Sequence, residues 1–396
     1  MSVFKVGSNK SSQNNFPSVR PTLDLDFANS KTLDPRITFT RASGGSYTDV
    51  NGLIKTAGVN EPRFDHDPYT GESLGFLVEE SRTNYVGGTG GSALFAGYNF
   101  GAESIWTITA ASTDVSAPDG SSLTTKAVSG SSGTTYFWKY TNSLFTHASN
   151  TTYTQSVWAR VAVGTGSLAL TSYPFNSQGH DITTQWKRIS VTYTTDSGPS
   201  QVPYMGVAFP DYNTTFYFWG WQIEQGAFPT SYIPTEGSSR TRAADVASIT
   251  GKNFSSWYNQ SEGTVFGKVN NMLATGAKFA YIINNGSGNY RHGVNAAIDA
   301  GEAFIDGDSS ASTGTTPTIL NGNGKFAHAV KTGDNAYYIN GTSIGTNSIS
   351  IPTNLTQLAI GYRGTYSPNS QLCGTIKKLT YYPKRLTNQQ LQVLTR

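Results

Sequence analysis

The chain has 396 residues and a formal net charge of +3, from 28 Lys and Arg against 25 Asp and Glu. Only 13% of the residues are charged, whereas 12% are aromatic and 42 are glycine. This composition excludes bulk disorder, which requires few aromatic residues and a high net charge, and a long coiled coil, which requires charged heptads. The even charge balance, without basic runs, also argues against a nucleic-acid partner. We therefore predict an all-β globular protein.

The single cysteine, Cys373, excludes an internal disulfide and a zinc site built from cysteines. Residues 1–10 lack the apolar core of a signal peptide, and no apolar run is long enough to cross a bilayer. We expect synthesis in a bacterial cytoplasm without a signal peptide and without membrane insertion.

Two changes in composition divide the chain into three predicted parts. Gly87–Ser92 is rich in glycine and typical of a flexible joint, and a weaker break follows Glu236. The predicted parts are an N-terminal region of residues 1–86, a β-sandwich over 87–250 and a second β-sandwich over 251–396. The N-terminal region has few apolar runs, so we expect it to pack against a neighbouring domain or another protein.

Strand patterns recur along the first two parts. Leu23–Phe27 alternates apolar and acidic residues, the period of a half-buried strand, and Phe76–Val78 is a second apolar segment. Tyr153–Val161 and Trp186–Tyr193 alternate in the same way. Phe216–Ile223 is apolar on both faces, as expected for a central strand of a sandwich or jelly roll.

The third part contains further strands and one helix. Its candidate strands are Gly263–Phe266, Phe279–Ile283 and Phe326–Val330. Asn340-Gly341 can adopt the positive φ values of a type I′ hairpin turn. Thr387 with Gln390 three residues later is the signature of a capping box, which predicts a short C-terminal helix.

Hydrolysis of a glycoside requires a pair of carboxyl groups. Asp65 and Asp67, and the pair Glu79 and Glu80, qualify by residue type only, and Asp-x-Asp-Pro is equally typical of a polar turn. No serine elbow and no phosphate-binding loop occurs. We predict that the protein is not an enzyme.

No metal site or cofactor is predicted. The five histidines are scattered and none shows a spacing typical of metal ligands. A structural calcium ion near Asp299, Asp306 and Asp308 is an alternative that only loop carboxylates favour.

Binding is better supported than catalysis. Aromatic side chains beside amides and carboxylates can hold the apolar face and the hydroxyl rim of a sugar. Trp138, Tyr212 and Tyr290 lie in loop-like or strand-end contexts and are the candidate carbohydrate-binding residues. Core packing and a protein interface are the alternatives for each of them.

Two segments resemble proteins of tailed phages. Leu74–Tyr85, after Thr40–Ser43, resembles the L-x-x-E-x-x-R-T-N module of tailed-phage structural proteins, frequent in phages of marine bacteria. Trp219–Thr235, continuing to Thr241–Asp245, is similar to the last strand and exit loop of the carbohydrate-binding-module-like jelly rolls of phage fibres and head appendages. The resemblance implies an internal salt-bridge and turn-capping cluster without a catalytic role, formed by Glu79, Arg82, Thr83 and Asn84.

The third part is similar to concanavalin A-like (laminin G-type) sandwiches. The similarity lies in Phe326–Val330, in the hairpin Tyr337–Ile344 and in Ile376–Tyr382 with its closing helix. It implies a lectin-like β-sandwich.

Together these resemblances imply a virion structural protein, a tail-fibre or appendage subunit that adheres to host-surface glycan. Its implied partners are other virion proteins, bound through residues 1–86, and the glycan itself, with a homotrimer as the expected assembly. The alternatives are a capsid decoration or head-fibre protein and, in another class, a polysaccharide depolymerase.

Overall fold

The computed structural model describes most of the chain after residue 15. The described segments are 16–87, 101–102, 106–132, 136–140, 145–173, 176–197, 204–208, 210–271, 278–286, 290–296, 301–307, 310–316, 324–364 and 370–396. These segments consist mainly of β-strands in antiparallel sheets, with three short helices among them. The all-β prediction is confirmed.

The strands and helices are numbered in chain order. The strands are β1 (Leu23–Leu25), β2 (Thr38–Thr40), β3 (Gly45–Thr48), β4 (Ile54–Ala57), β5 (Phe64–His66), β6 (Ser73–Val78), β7 (Arg82–Asn84), β8 (Gly101–Ala102), β9 (Trp106–Ser112), β10 (Thr124–Ser129), β11 (Tyr136–Tyr140), β12 (Thr152–Val161), β13 (Thr165–Tyr173), β14 (Asn176–Thr183), β15 (Lys187–Thr194), β16 (Tyr204–Ala208), β17 (Thr215–Gln225), β18 (Arg240–Arg242), β19 (Val246–Thr250), β20 (Glu262–Asn271), β21 (Phe279–Asn284), β22 (Arg291–Ala296), β23 (Gly301–Asp306), β24 (Ala311–Thr316), β25 (Gly324–Lys331), β26 (Asn335–Ile339), β27 (Thr342–Asn347), β28 (Gln357–Ile360) and β29 (Gly374–Tyr382). The helices are α1 (Phe27–Ser30), α2 (Gly251–Ser255) and α3 (Asn388–Thr395).

The chain forms two compact units, each made of separate stretches. The terminal unit contains Met1–Thr40, Ser73–Glu80 and Asp245–Arg396, and the central unit contains Arg41–Glu72 and Ser81–Ala244. The N-terminal stretch is thus shared between both units. The sequence-based boundaries after residues 86 and 250 stay predictions.

The central unit is a sandwich of two five-stranded antiparallel sheets. Their orders are β15-β12-β17-β10-β9 and β14-β13-β16-β11-β8. Val157 and Trp221 of the first sheet share one buried core with Leu170 and Val207 of the second. Strand β17 lies between β12 and β10 and is buried from Phe216 to Glu224, as predicted for a central strand whose two faces are both covered.

The terminal unit contains two further antiparallel sheets. The first runs in the order β27-β26-β25-β20-β29-β6, with β1 also paired to β29, and the second in the order β2-β19-β28-β21-β22-β23-β24. The ring of Tyr281 from the second sheet stacks on Phe326 of the first, with centroids 5.9 Å apart. Its hydroxyl lies 2.9 Å from Nδ1 of His328, also of the first sheet. The core of this unit therefore contains buried polar groups among its rings.

Three local predictions in the terminal unit are confirmed. Strand β1 alternates buried and exposed residues over Leu23–Leu25, as predicted, although the pattern extends to Phe27, which instead begins helix α1. Asn340 and Gly341 have φ values of 46° and 82° at the turn between β26 and β27. Helix α3 begins with a capping box in which Thr387 and Gln390 each bond the backbone of the other. Among the described residues, none of the helices is long and apolar enough to cross a membrane.

Candidate functional site

An open pocket of about 440 Å³ lies on the second sheet of the terminal unit. Its polar lining includes Arg291, Asn295, Glu302, Asp306, Ser312 and Arg363. The rings of Phe279 and Phe304 also line it and are 5% and 8% exposed. Together with Ser310, this makes two arginines, two carboxylates, an amide and two hydroxyls around a small aromatic patch.

Strand alternation places these side chains on one face. Successive residues of a strand point to opposite faces of the sheet. The inward residues of β22 and β23 are fully buried: His292, Val294, Ala303 and Ile305. Residues that point to the opposite face of the same strands line the pocket: Arg291, Asn295, Glu302, Phe304 and Asp306. The pocket therefore lies on the outer face of the sheet, turned away from the core that contains His292.

The strand register arranges the lining in rows across the sheet. Phe279 pairs with Asn295, and Asn295 pairs with Glu302. Arg291 pairs with Asp306, four residues further along the same strands. At a rise of about 3.3 Å per residue the two rows are about 13 Å apart. The pocket thus has an amide and carboxylate end and an arginine end.

Phe304 lies between the two rows, opposite Gly293. A Cβ atom at Gly293 would stand 3.1 Å from Cζ of Phe304 and 2.6 Å from the carbonyl oxygen of Tyr281. Both distances are shorter than an ordinary van der Waals contact, which for carbon atoms is about 3.5–4.0 Å. Glycine is therefore required here for the ring of Phe304 to lie against the strand.

An ion pair forms the arginine end of the pocket. Nε of Arg291 donates a hydrogen bond of 2.7 Å to Oδ2 of Asp306, and the two side chains are 12% and 25% exposed. The guanidinium carbon of Arg291 lies 5.3 Å from the ring centroid of Phe304. The carboxylate and the ring together fix the orientation of this guanidinium.

Arg363 brings a second guanidinium to the pocket. It follows β28, and its guanidinium carbon lies 5.8 Å from the ring centroid of Phe279. The rings of Phe279 and Phe304 meet edge to face, with centroids 5.8 Å apart. Burial and the nearby charge of Arg291 lower the pKa of Arg363 from its usual value, while Asp306 acts in the opposite direction.

The side chain of Arg363 has no hydrogen bond or ion pair within the described part of the chain. Its Nε is buried without a partner there, and only its backbone N–H is bonded, to Oγ of Ser370 at 3.0 Å. A buried N–H that has lost its water partners destabilises the structure until another acceptor replaces them. The pocket thus contains a guanidinium whose buried Nε–H has no acceptor among the described residues.

The three aromatic residues predicted to bind carbohydrate do not line this pocket. Trp138 belongs to β11 in the central unit, with its backbone opposite Gly206, and its side chain lies outside the described ones. Tyr212 is 49% exposed in the turn before β17 of the central unit. Tyr290 is 36% exposed and directly precedes Arg291 in the terminal unit. Their role in binding stays a prediction.

The residues of the predicted structural cluster fall in both units. In the terminal unit the backbone N–H of Glu79 donates to Oδ2 of Asp245 at 2.8 Å. In the central unit Arg82 donates to the carbonyl oxygen of Gln225, and the hydroxyls of Thr83 and Thr241 lie 2.7 Å apart.

Asn84 is the fully buried member of this group. Its Nδ2 donates to the carbonyl oxygens of Trp221 and Ile233, at 3.2 and 2.9 Å. Its Oδ1 accepts from the backbone N–H groups of Val86 and Ile223, at 3.0 and 3.1 Å. One amide side chain therefore satisfies four backbone groups of the central unit.

The carboxylates considered for hydrolysis make local or buried contacts. Oδ1 of Asp65 accepts from the backbone N–H of Thr48 at 2.6 Å. Oδ1 of Asp67 accepts from two N–H groups of its own turn, as the polar-turn interpretation predicts. Glu80 forms a buried ion pair with Lys278, 2.5 Å long.

The calcium alternative falls partly outside the described residues, because Asp299 and Asp308 are not among them. Asp306 is described and pairs with Arg291. Within the described segments, no three His, Cys, Asp or Glu side chains form a group that could hold a metal ion.

Apart from Asp306, which was considered as a calcium ligand, no residue of this pocket stands out in the sequence. Polar and apolar residues do not alternate in Arg291–Asn295, which begins Arg-His-Gly, or in Glu302–Asp306, which has Ala-Phe-Ile between its two carboxylates. Without a period-2 pattern, neither segment indicates a half-buried strand with a polar outer face.

Comparison with known proteins gives distant structural similarities. No family model and no curated protein matches the chain. A carbohydrate-binding module (CBM40) of the Ruminococcus gnavus IT-sialidase, bound to α2,3-sialyllactose, is 14% identical, with a TM-score of 0.31 over 35% of this chain and 83% of that chain. Domain 4 of a GH43 extracellular arabinanase from Geobacillus stearothermophilus, in complex with arabinotriose, is 15% identical, with a TM-score of 0.32 over 43% and 82%. The binding domain of Botulinum neurotoxin DC, in complex with rat synaptotagmin II, is 11% identical, with a TM-score of 0.29 over 38% and 40%. Similarity at this level carries no ligand, partner or activity over to this chain.

Proposed function

We propose that this protein binds glycans, and that the pocket on β22 and β23 is a binding site. The observation that supports this most is the chemistry of one sheet face, where guanidinium, carboxylate, amide and hydroxyl groups converge within one pocket. A sugar hydroxyl is both a donor and an acceptor, so it can use every one of these groups. The volume of about 440 Å³ lies within the range of small-molecule sites, which is roughly 300–1,000 Å³.

The site favours polar contacts over ring stacking. Phe279 and Phe304 expose only a small part of their rings, since the guanidinium groups of Arg363 and Arg291 lie against them. A sugar can therefore touch their edges but cannot cover a whole ring face. We expect weak binding at a single site, which many copies on one particle would strengthen through avidity.

We further propose binding without hydrolysis. Glycosidases hold their two carboxyl groups about 5–10 Å apart. Glu302 and Asp306 lie on one face of β23, in rows about 13 Å apart by strand rise. Asp306 is also engaged by Arg291. The ion pair, which engages Asp306, supports adhesion rather than depolymerisation.

For the biological setting we propose a tail-fibre or appendage subunit of a tailed phage, assembled as a homotrimer. The resemblance of Leu74–Tyr85 and Trp219–Asp245 to phage structural proteins supports this proposal. Antibodies against the chain, imaged on whole particles, should label the tail. Label on the head would instead favour the capsid-decoration alternative, and unlabelled particles would contradict a virion role.

Replacement of Arg291 tests the proposed site. On a glycan array, the full chain should bind at least one class of cell-surface glycan, and Arg291→Gln should weaken that binding tenfold or more. The substitution removes one charged donor and leaves Asp306 without its partner.

Tyr212→Ala tests the aromatic candidates, and Arg36→Gln is the matched control, since Arg36 forms an ion pair with Asp34 in the same unit as Arg291 and does not line the pocket. Arg36→Gln should leave binding unchanged. Loss of binding in the Tyr212 variant alone would move the site to the aromatic residues predicted from the sequence. An array on which the unmodified chain binds no glycan would contradict the proposed function.

A further inference from the structure

Two guanidinium groups of the pocket lie near one carboxylate. Among the described lining residues, Arg291 and Arg363 are positive and Asp306, whose charge also acts on Arg363, is negative, while the other carboxylate, Glu302, lies in the row of Asn295. Asp306 is already bonded to Nε of Arg291 at 2.7 Å. The guanidinium of Arg363 has no ion pair among the described residues, and its buried Nε has no hydrogen-bond partner there.

We infer that this pocket, in its proposed role as a glycan site, selects sugars that carry a carboxylate, and that Arg363 is the residue that receives it. The inference rests on the proposed function and adds a substrate class to it. A guanidinium presents N–H donors in a planar fork that matches the two oxygens of a carboxylate. A neutral sugar would offer Arg363 only hydroxyl groups, which form weaker hydrogen bonds with a cation.

The surroundings of Arg363 favour an anion over a neutral ligand. Burial and, after it, the charge of Arg291 lower the pKa of Arg363, while Asp306 acts in the opposite direction, so the pocket disfavours the charged form of this guanidinium. An anion placed beside Arg363 offsets this effect. The ring of Phe279 holds the guanidinium carbon of Arg363 at 5.8 Å from its centroid, which limits the freedom that the side chain loses on binding.

The other end of the pocket restricts the ligand to a single acidic group. Glu302 lies in the row of Asn295, about 13 Å by strand rise from the row of Arg291 and Asp306. A second anionic group at that end would face the carboxylate of Glu302. We therefore expect binding of glycans with an isolated acidic sugar and weak binding of densely charged polyanions.

Matched ligand pairs test this selectivity. The full chain is titrated with an acidic oligosaccharide that the array identifies, and with the same oligosaccharide after methyl esterification. The acid should bind at least tenfold more tightly than the ester, and the difference should shrink as salt is raised from 50 to about 500 mM, because screening weakens charge–charge attraction.

Substitutions at Arg363 and Glu302 locate the selectivity. Arg363→Gln should remove the preference for the acid, so that the acid and the ester bind within twofold of each other. Arg363→Lys keeps the charge without the planar fork and should retain part of the preference. Glu302→Gln should keep the preference and improve binding of a dianionic oligosaccharide. Unchanged hydrogen exchange in β25 and β29 of the terminal unit and an unchanged melting temperature would show that each variant is folded.

The outcomes separate this inference from the proposed function. Equal binding of acid and ester, or an undiminished preference in Arg363→Gln, overturns the inference and leaves glycan binding standing. Tighter binding of a sulfated than of a carboxylated analogue overturns the carboxylate assignment. Failure to bind any of these sugars, on the array or in titration, overturns the proposed function itself.

Discussion

Asn84→Ala is expected to lower the free energy of unfolding of the central unit by roughly 4 kcal/mol or more. The substitution leaves the carbonyl oxygens of Trp221 and Ile233 and the N–H groups of Val86 and Ile223 without their partner. A buried backbone group left unsatisfied costs about 1–3 kcal/mol. Water entering the vacated space can relieve some of the four groups, and the expected loss allows for that.

Tryptophan fluorescence during denaturant unfolding measures this loss. Six of the seven tryptophans lie within the central unit and only Trp257 belongs to the terminal unit, so the signal reports mainly on the central unit. The neighbouring Thr83→Ala is the control, because the Thr83–Thr241 bond is exposed and its loss should cost less than about 1 kcal/mol. A loss below 1 kcal/mol in Asn84→Ala would contradict a structural role for this residue.

Acid is expected to destabilise the terminal unit well above the pH at which carboxylates titrate. His292 and His328 are fully buried, and their ring centroids are 5.7 Å apart. Burial lowers the pKa of His292 to about 3 and that of His328 well below its usual value, and the charge on His292 lowers the latter further. In the unfolded chain both histidines regain a pKa of about 6.5.

The sign of this pH dependence follows from the number of protons that the folded and unfolded states bind. Below pH 6.5 the unfolded chain binds protons that the folded unit excludes, so its free energy falls relative to the folded state. Stability is complete above pH 6.5 and decreases as the pH falls towards 3, the pKa of folded His292. Each such histidine contributes a slope of about 1.4 kcal/mol per pH unit within this range.

Hydrogen exchange in β22 and β25, corrected for the intrinsic pH dependence of exchange, measures this slope between pH 6 and 4.5. His292→Gln removes one titrating group while its amide can still bond the hydroxyl of Tyr258, which lies 3.1 Å from Nε2 of His292. The slope should decrease by about 1.4 kcal/mol per pH unit in the variant. An identical slope in both proteins would show that His292 is protonated in the folded state.

The parts of the fold that sequence predicts well are those with local causes. The turn at Asn340-Gly341 and the cap at Thr387 depend on a few adjacent residues. The central position of β17 is visible in a continuous apolar run, because a strand covered on both faces has no polar side.

Each unit combines stretches that are far apart along the chain, because strands remote in sequence pair with each other. Strand β1 pairs with β29, so Leu23 lies opposite Tyr381, and β7 pairs with β18, so Asn84 lies opposite Arg240. A period-2 pattern indicates a strand and its buried face but not its partner, since any strand with a matching face can pair with it. The division of the first 80 residues between both units therefore had no signal in the sequence.

The pocket was missed for a related reason. Arg291 and Asp306 meet because β22 and β23 are paired in one register, and Arg363 arrives from the segment after β28. None of these residues is unusual in its own segment. The residues predicted to bind were instead exposed aromatic ones, a residue type that suggests binding wherever it occurs. One of them, Tyr290, directly precedes the pocket residue Arg291.

The location of glycan protection on the chain tests the central claim most directly. Hydrogen exchange of the full chain is compared with and without a saturating concentration of the tightest glycan from the array. We expect slower exchange in β22, β23 and the segment after β28, with no change around Tyr212, and loss of this protection in Arg291→Gln. Protection confined to the central unit, or none at a concentration that saturates binding, would contradict a glycan site in this pocket.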